Sequence, residues 1–170
     1  MDIKPDREKL VEAFDHMVEQ LSRTIHEAEE ALAPGIDEMI HNAQLLAREL
    51  YTLTQEEAQS LGDTLKRDVQ KANKILNQQG KELKDWFSFD LVLVEDRFIN
   101  LIARAADKTW LDFRSFETED HQASLYLSGE VCNAGTLSCK NCGNNIHLST
   151  SSKIPLCPSC QHNEFYRVVG

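Results

Sequence analysis

Two Cys-x-x-Cys pairs, Cys139-Lys140-Asn141-Cys142 and Cys157-Pro158-Ser159-Cys160, are separated by 14 residues near the C-terminal end of a 170-residue chain. Each pair can present two thiolates from one tight turn, and four thiolates converging on a point make a closed tetrahedral metal site. The interval is one residue short of the usual range for a four-cysteine ribbon. Gly143 follows the first pair directly and can take the positive φ that such a turn favours. The spacing therefore predicts Cys139, Cys142, Cys157 and Cys160 as ligands of one structural Zn²⁺ per chain. Iron in the same tetrahedron is the competing reading, because Cys-Pro-x-Cys also occurs in rubredoxin-type knuckles. Four protein sulfurs leave no open position for a reacting water, so a catalytic metal is not expected. About 35 residues bury too little apolar surface to fold unaided, and metal ligation replaces the missing core.

The fifth cysteine, Cys132, lies outside the metal spacing. It reads as a small buried hydrophobe, with a redox-sensing thiol as the alternative. An odd cysteine count with metal-type spacing fits a reducing compartment. The charged start, Met1-Asp2-Ile3-Lys4-Pro5-Asp6, has no apolar segment of a secretory signal, so a cytoplasmic location is expected. The longest strongly apolar run is Leu91-Val92-Leu93-Val94, so no membrane-spanning helix is expected.

Ahead of the cysteines the pattern is helical. Leu10, Phe14, Met17, Leu21, Ile25, Ala28 and Leu32 recur at steps of three and four, predicting an amphipathic helix from Asp6 to Ala33 with Glu19 placed to pair with Arg23. Pro34-Gly35 ends it. A second helix is expected over about 36–51, with Ile36, Met39, Ile40, Ala43, Leu46, Ala47 and Leu50 inward. Thr54-Gln55-Glu56-Glu57 is a capping box that starts a third helix at Gln55. That helix carries Ala58, Leu61, Leu65, Val69, Ala72 and Leu76 inward and places Asp63 to pair with Arg67. A fourth helix is expected over about 90–113. The aromatics Trp86, Phe87, Phe89, Phe98, Trp110 and Phe113 are spaced as core. From Tyr126 short alternating stretches predict strands at Gly135–Ser138, Ile146–Ser149, Lys153–Leu156 and Phe165–Val169. The expected fold class is mainly α: an elongated helical hairpin or bundle followed by a small β zinc ribbon. The expected division is an acidic helical region over 1–115, a linker over 116–125 and the ribbon over 126–170.

The net charge is −10, and it resides in the helical part: residues 1–125 hold 15 Lys and Arg against 26 Asp and Glu. Proteins bind a phosphate backbone by neutralising it with clustered cations, and Lys140, Lys153 and Arg167 alone make a thin footprint. Nucleic acid is therefore not the expected main partner. There is no Gly-rich phosphate loop, nucleophile elbow or catalytic triad. His16, His26, His41 and His121 read as surface residues. His147 and His162 lie within the ribbon, where His162 could support the second knuckle as a donor.

Ser128-Gly129-Glu130-Val131, then Gly135-x-Leu137-x-Cys139-x-x-Cys142-Gly143, then Leu156-Cys157-Pro158-x-Cys160-x-His162-x-x-Phe165-x-Arg167, resemble a zinc-ribbon-containing family of small uncharacterised bacterial proteins. The helix start Leu53-Thr54-x-Glu56 and the triplet Asp107-Lys108-Thr109 fit the same resemblance. It implies helices followed by a C-terminal ribbon, with the four cysteines as metal ligands, and it implies no catalytic residues. Gln161 departs from it, standing where a glycine is expected after the second knuckle.

These features point to a non-enzymatic zinc-binding protein that acts as a protein–protein interaction module. Dimerisation through the near-heptad stripe of the first helix is an alternative to burial of that stripe within one chain. A transcription-associated regulator acting through RNA polymerase is a second reading, weakened by the absence of the D-x-x-D motif of coiled-coil regulators. A redox or electron-transfer protein using iron or Cys132 is the third.

Overall fold

The computed structural model describes residues 6–27, 35–79 and 125–168. Three helices come first: α1 (Asp6–Glu27), α2 (Ile36–Leu50) and α3 (Gln55–Gln79). Six short strands follow: β1 (Leu125–Leu127), β2 (Val131–Cys132), β3 (Gly135–Cys139), β4 (Asn145–Leu148), β5 (Ser152–Lys153) and β6 (Glu164–Arg167). Helices before strands is the expected order. All the described helix lies in the first part and all the described strand from Leu125 onward, so "mainly α" describes only the first part. The expected fourth helix, the aromatics between Trp86 and Phe113, His121, Ala28, Leu32 and most of the expected linker lie outside the described residues.

The α1 stripe is spent inside the chain. Ala13, Phe14, Met17, Leu21 and Ile25 are buried together with Ile36, Met39, Ile40, Ala43 and Ala47 of α2 and Ala58, Leu61, Leu65 and Val69 of α3. Three amphipathic helices thus bury one another's apolar faces, the simpler of the two explanations of the stripe. Glu19 and Arg23 approach to 3.8 Å on the exposed face of α1, as their spacing predicts.

Three expectations for the helices need correction. Leu46 and Leu50 do not face the core; they are 37% and 59% exposed. The buried row of α2 ends at Ala47, because the chain turns through Tyr51 and Thr52, with Thr52 at a positive φ of 51°. Leu53 then enters the core in place of Leu50. Arg67 also has a different partner: Gln59 donates to Asp63 instead, at 2.9 Å, while Arg67 reaches across to the strands. The ring of His16, expected at the surface, tilts against Tyr51 with centroids 5.9 Å apart, and its buried Nε2 has no hydrogen-bond partner among the described residues. His26 and His41 are exposed.

The capping box forms as expected. The Glu57 N–H donates to Thr54 Oγ1 at 3.1 Å, and the Thr54 N–H donates to Glu57 Oε2 at 2.9 Å. Thr54→Ala is expected to cost about 1 kcal/mol of stability, read as a lower urea midpoint with an unchanged slope.

The strands form a four-stranded antiparallel sheet in the order β1-β6-β3-β4 and a separate β2-β5 pair. One face of the larger sheet carries Tyr126, Leu137, Cys139 and Phe165, which pack with Cys132, Ile154 and Cys157 into a second core. Strand β2 joins the two cores: Val131 belongs to the helical cluster and its neighbour Cys132 to the sheet cluster. The period-two alternation of a strand sends consecutive side chains to opposite sides, so this one dipeptide fastens sheet to helices.

Candidate metal centre

The two Cys-x-x-Cys segments fold into matching knuckles. In the first, the Gly143 N–H donates to Cys139 O at 2.9 Å and the Cys139 N–H donates to Asn144 O at 2.9 Å. In the second, the Gln161 N–H donates to Cys157 O at 2.8 Å and the Cys157 N–H donates to His162 O at 3.0 Å. Gly143 and Gln161 hold equivalent places, each directly after its knuckle's second cysteine. Both are left-handed, with φ of 72° and 62°. Glycine adopts that conformation freely, whereas a residue with a Cβ pays about 1–2 kcal/mol. Gln161→Gly is therefore expected to stabilise the ribbon by about 0.5–1 kcal/mol, the relief being partly offset by the looser unfolded chain. Thermal unfolding of the two proteins side by side checks this.

The knuckles bring together the four cysteines singled out by spacing. Their sulfurs all lie within 4.8 Å of one another. Cys139 Sγ stands 3.6 Å from Cys160 Sγ, and Cys142 Sγ stands 3.6 Å from Cys157 Sγ. Four sulfurs at about 2.3 Å from a common ion, at tetrahedral angles, stand about 3.8 Å apart. The donor set thus fits a tetrahedral, thiolate-binding metal with no further position for water.

As free thiols, Cys142, Cys157 and Cys160 compete for protons. Asn141's side chain and the His162 backbone N–H draw Cys160 down to about 6. Cys157 is also lowered: desolvation opposes the shift, and the backbone N–H groups of Cys160 and Ser159 outweigh it. Cys142 is pushed up to about 12, since the help of the Asn144 backbone is overcome by desolvation and by the three neighbouring thiols. Such a cluster titrates as a set. Zinc, when bound, replaces the shared protons with one cross-link among four thiolates.

The histidines of the ribbon stay out of the donor set. His147 lies on the opposite sheet face, with Nδ1 3.1 Å from Thr136 Oγ1. His162 supports the second knuckle through its backbone, while its ring nitrogen lies 3.6 Å from Glu164. Lys140 also pairs with Glu164, at 2.7 Å, which holds that carboxyl below its usual range. Cys132 is fully buried, and desolvation followed by the Asp68 charge pushes its thiol up to about 12. Arg167 adjoins it and acts to lower the value but is outweighed. This is the environment of an unreactive thiol.

A second polar cluster joins the ribbon to α3, and its residues are too far apart in sequence for spacing to reveal it. Asp68, 3% exposed, accepts at Oδ1 from Tyr126 Oη (2.7 Å) and Arg167 (2.9 Å), and at Oδ2 from the Asn133 N–H (2.9 Å) and Nδ2 (3.0 Å). Arg167 also donates to Ala134 O at 3.0 Å and Asn133 O at 3.1 Å. Burial alone would lower the Arg167 pKa, but Asp68 and Tyr126 raise it. Arg67, the residue before Asp68, makes a bidentate pair with Glu130 at 2.6 and 2.7 Å and donates to Leu125 O at 2.9 Å. Both guanidinium groups lie over the Tyr126 ring, at 5.7 and 5.0 Å from its centroid. The available signal was Thr64 and Asp68, one turn apart beside the apolar row Leu61, Leu65 and Val69; both are buried.

The described residues also line an open cleft of about 570 Å³ at the start of α3, formed by Gln55, Glu56, Gln59, Ser60, Asp63 and Glu130. It has no apolar wall of the kind that encloses small ligands. No helix among the described residues is long and apolar enough to cross a membrane.

Helices, two matched knuckles and a closed four-sulfur site define a zinc-ribbon protein, and the chain belongs to the zinc-ribbon containing domain family, which it matches over residues 9–169. The family and the site geometry together fit a single structural Zn²⁺. The chain is similar to the uncharacterized protein YbeL of Escherichia coli K12, with 26% identity over 159 residues covering 94% of this chain and 96% of the relative. The YbeL proteins of the O6:H1 and O157:H7 strains align to the same extent. No solved structure gives a significant match.

Proposed function

We propose that the protein is a non-enzymatic zinc-binding interaction module, in which the ribbon's metal holds a sheet that presents its outer face to a protein partner. The observation that carries this reading is the composition of that face. Leu125 lies opposite Tyr166 in register, Leu127 lies on the same side of β1, and Val168 directly follows β6. Leu127, Tyr166 and Val168 are all exposed. Clustered exposed apolar and aromatic side chains mark contact surfaces more often than solitary ones do. The closed sulfur site offers no position for metal catalysis. The unreactive setting of Cys132 weighs against a thiol-based redox role.

Capture from lysate with wild-type protein and with Tyr166→Ser/Val168→Ser tests the reading. The expected result is a protein partner retained by the wild type and lost by the variant, with zinc content unchanged in both. Equal capture by both proteins would place the contact elsewhere. An enzymatic turnover traced to the purified chain would overturn the non-enzymatic part.

A further inference from the structure

We infer that zinc in the ribbon is a latch for the helices: its occupancy is transmitted along β6 to α3 through the contact of Arg167 with Asp68. This goes beyond the partner-docking reading and does not depend on it.

The route is short. Cys157 and Cys160 form the knuckle that leads through His162 and Asn163 directly into β6 (Glu164–Arg167). In that strand Phe165 pairs in register with Cys139, the first cysteine of the other knuckle. Two residues on, Arg167 pairs in register with Leu137 and lays its guanidinium on Asp68. Strand β6 is thus fixed to the metal site at one end and to α3 at the other.

Asp68 makes the connection consequential. It is one of only two buried polar side chains among the described residues, the other being Thr64, whose hydroxyl donates to Ser60 O within its own helix. Among the described residues, every hydrogen bond to the Asp68 carboxylate comes from Tyr126, Asn133 or Arg167 of the ribbon, and none from the helices. A buried carboxylate with its charge partner and donors removed is strongly destabilising, and the protein relieves that cost by opening to water or protonating. Loss of the ribbon also withdraws Val131 from the helical core. Among the described residues, the helical unit therefore holds a charge that only the folded ribbon satisfies. Release of zinc opens the α3 face around Thr64–Val69, and reloading closes it.

Hydrogen–deuterium exchange on the full chain, as purified with zinc and after stripping with a chelator, tests this. The expected result is at least tenfold faster exchange of amides over 64–69 on stripping, alongside faster exchange in the ribbon, and recovery when Zn²⁺ is restored. Unchanged exchange over 64–69 while the ribbon opens would overturn the latch, as would a ribbon that does not respond to stripping. In Asp68→Asn, whose α3 carries no charge at position 68 while Arg167 keeps its own, the response over 64–69 is expected to fall below threefold. A full tenfold response in that variant would overturn the Asp68 route. Should the variant not fold, the wild-type comparison still decides.

Discussion

Replacing Cys139 with serine is expected to abolish zinc retention and unfold the ribbon. Its sulfur sits at the end of β3, where the backbone also pairs with Phe165 of β6, so ligand and sheet register share one residue. Structural zinc sites of this kind carry an apparent binding free energy of about 10–16 kcal/mol at neutral pH. That is comparable to the total stability of a typical domain, about 5–15 kcal/mol. The ribbon's own buried side chains are few, mainly Tyr126, Leu137, Ile154 and Phe165 with the cysteines, and they cannot make up the loss. The measurement is an amide correlation spectrum of the variant with its zinc content. Resonances of residues 125–168 should collapse to random-coil positions. A dispersed ribbon spectrum in a zinc-free variant would mean that the apolar core alone holds the strands.

The second large effect belongs to Arg167→Met. The substitution keeps much of the side chain's apolar length and removes the charge facing Asp68. Breaking a buried ion pair from one side costs about 3–5 kcal/mol, because the remaining charge is stranded. Arg67→Met, by contrast, removes a partner of Glu130 that is less enclosed, with 17% and 14% of the two side chains exposed, so its cost should be smaller. Adding Asp68→Leu to Arg167→Met is expected to recover part of the loss, since no uncompensated charge then remains. Recovery should be incomplete, because Tyr126 Oη and both Asn133 donors lose their acceptor. Denaturant unfolding of the wild type, of the single variants Arg167→Met and Asp68→Leu, and of the double variant gives the coupling; additive costs would show that the pair does not act as a unit.

The metal centre was legible because its chemistry is local. A thiolate pair needs one turn, the turn needs three or four residues, and the left-handed position after each pair is filled by Gly143 and Gln161. Helix starts were equally readable, since the Thr54–Glu57 cap closes within one turn. What the sequence concealed is long-range. Arg67 has a carboxylate four residues earlier in Asp63, the pairing a helix favours, yet its partner Glu130 is 63 residues away. A bidentate pair in a partly enclosed site outcompetes a monodentate surface pair. Asp68 and Arg167 are 99 residues apart, and no periodicity links a helix position to a strand position across that distance. Leu46 and Leu50 fit the α2 stripe by spacing, but the turn at Thr52 delivers Leu53 to the core first. Tertiary geometry, which spacing does not encode, decided each of these.

The most direct test of the account is the metal content of the full chain purified without added metal, measured by elemental analysis. One zinc per chain is the predicted result. A chain that carries no metal yet keeps its ribbon folded would contradict it, and a red protein carrying iron would replace structural zinc with an electron-transfer centre.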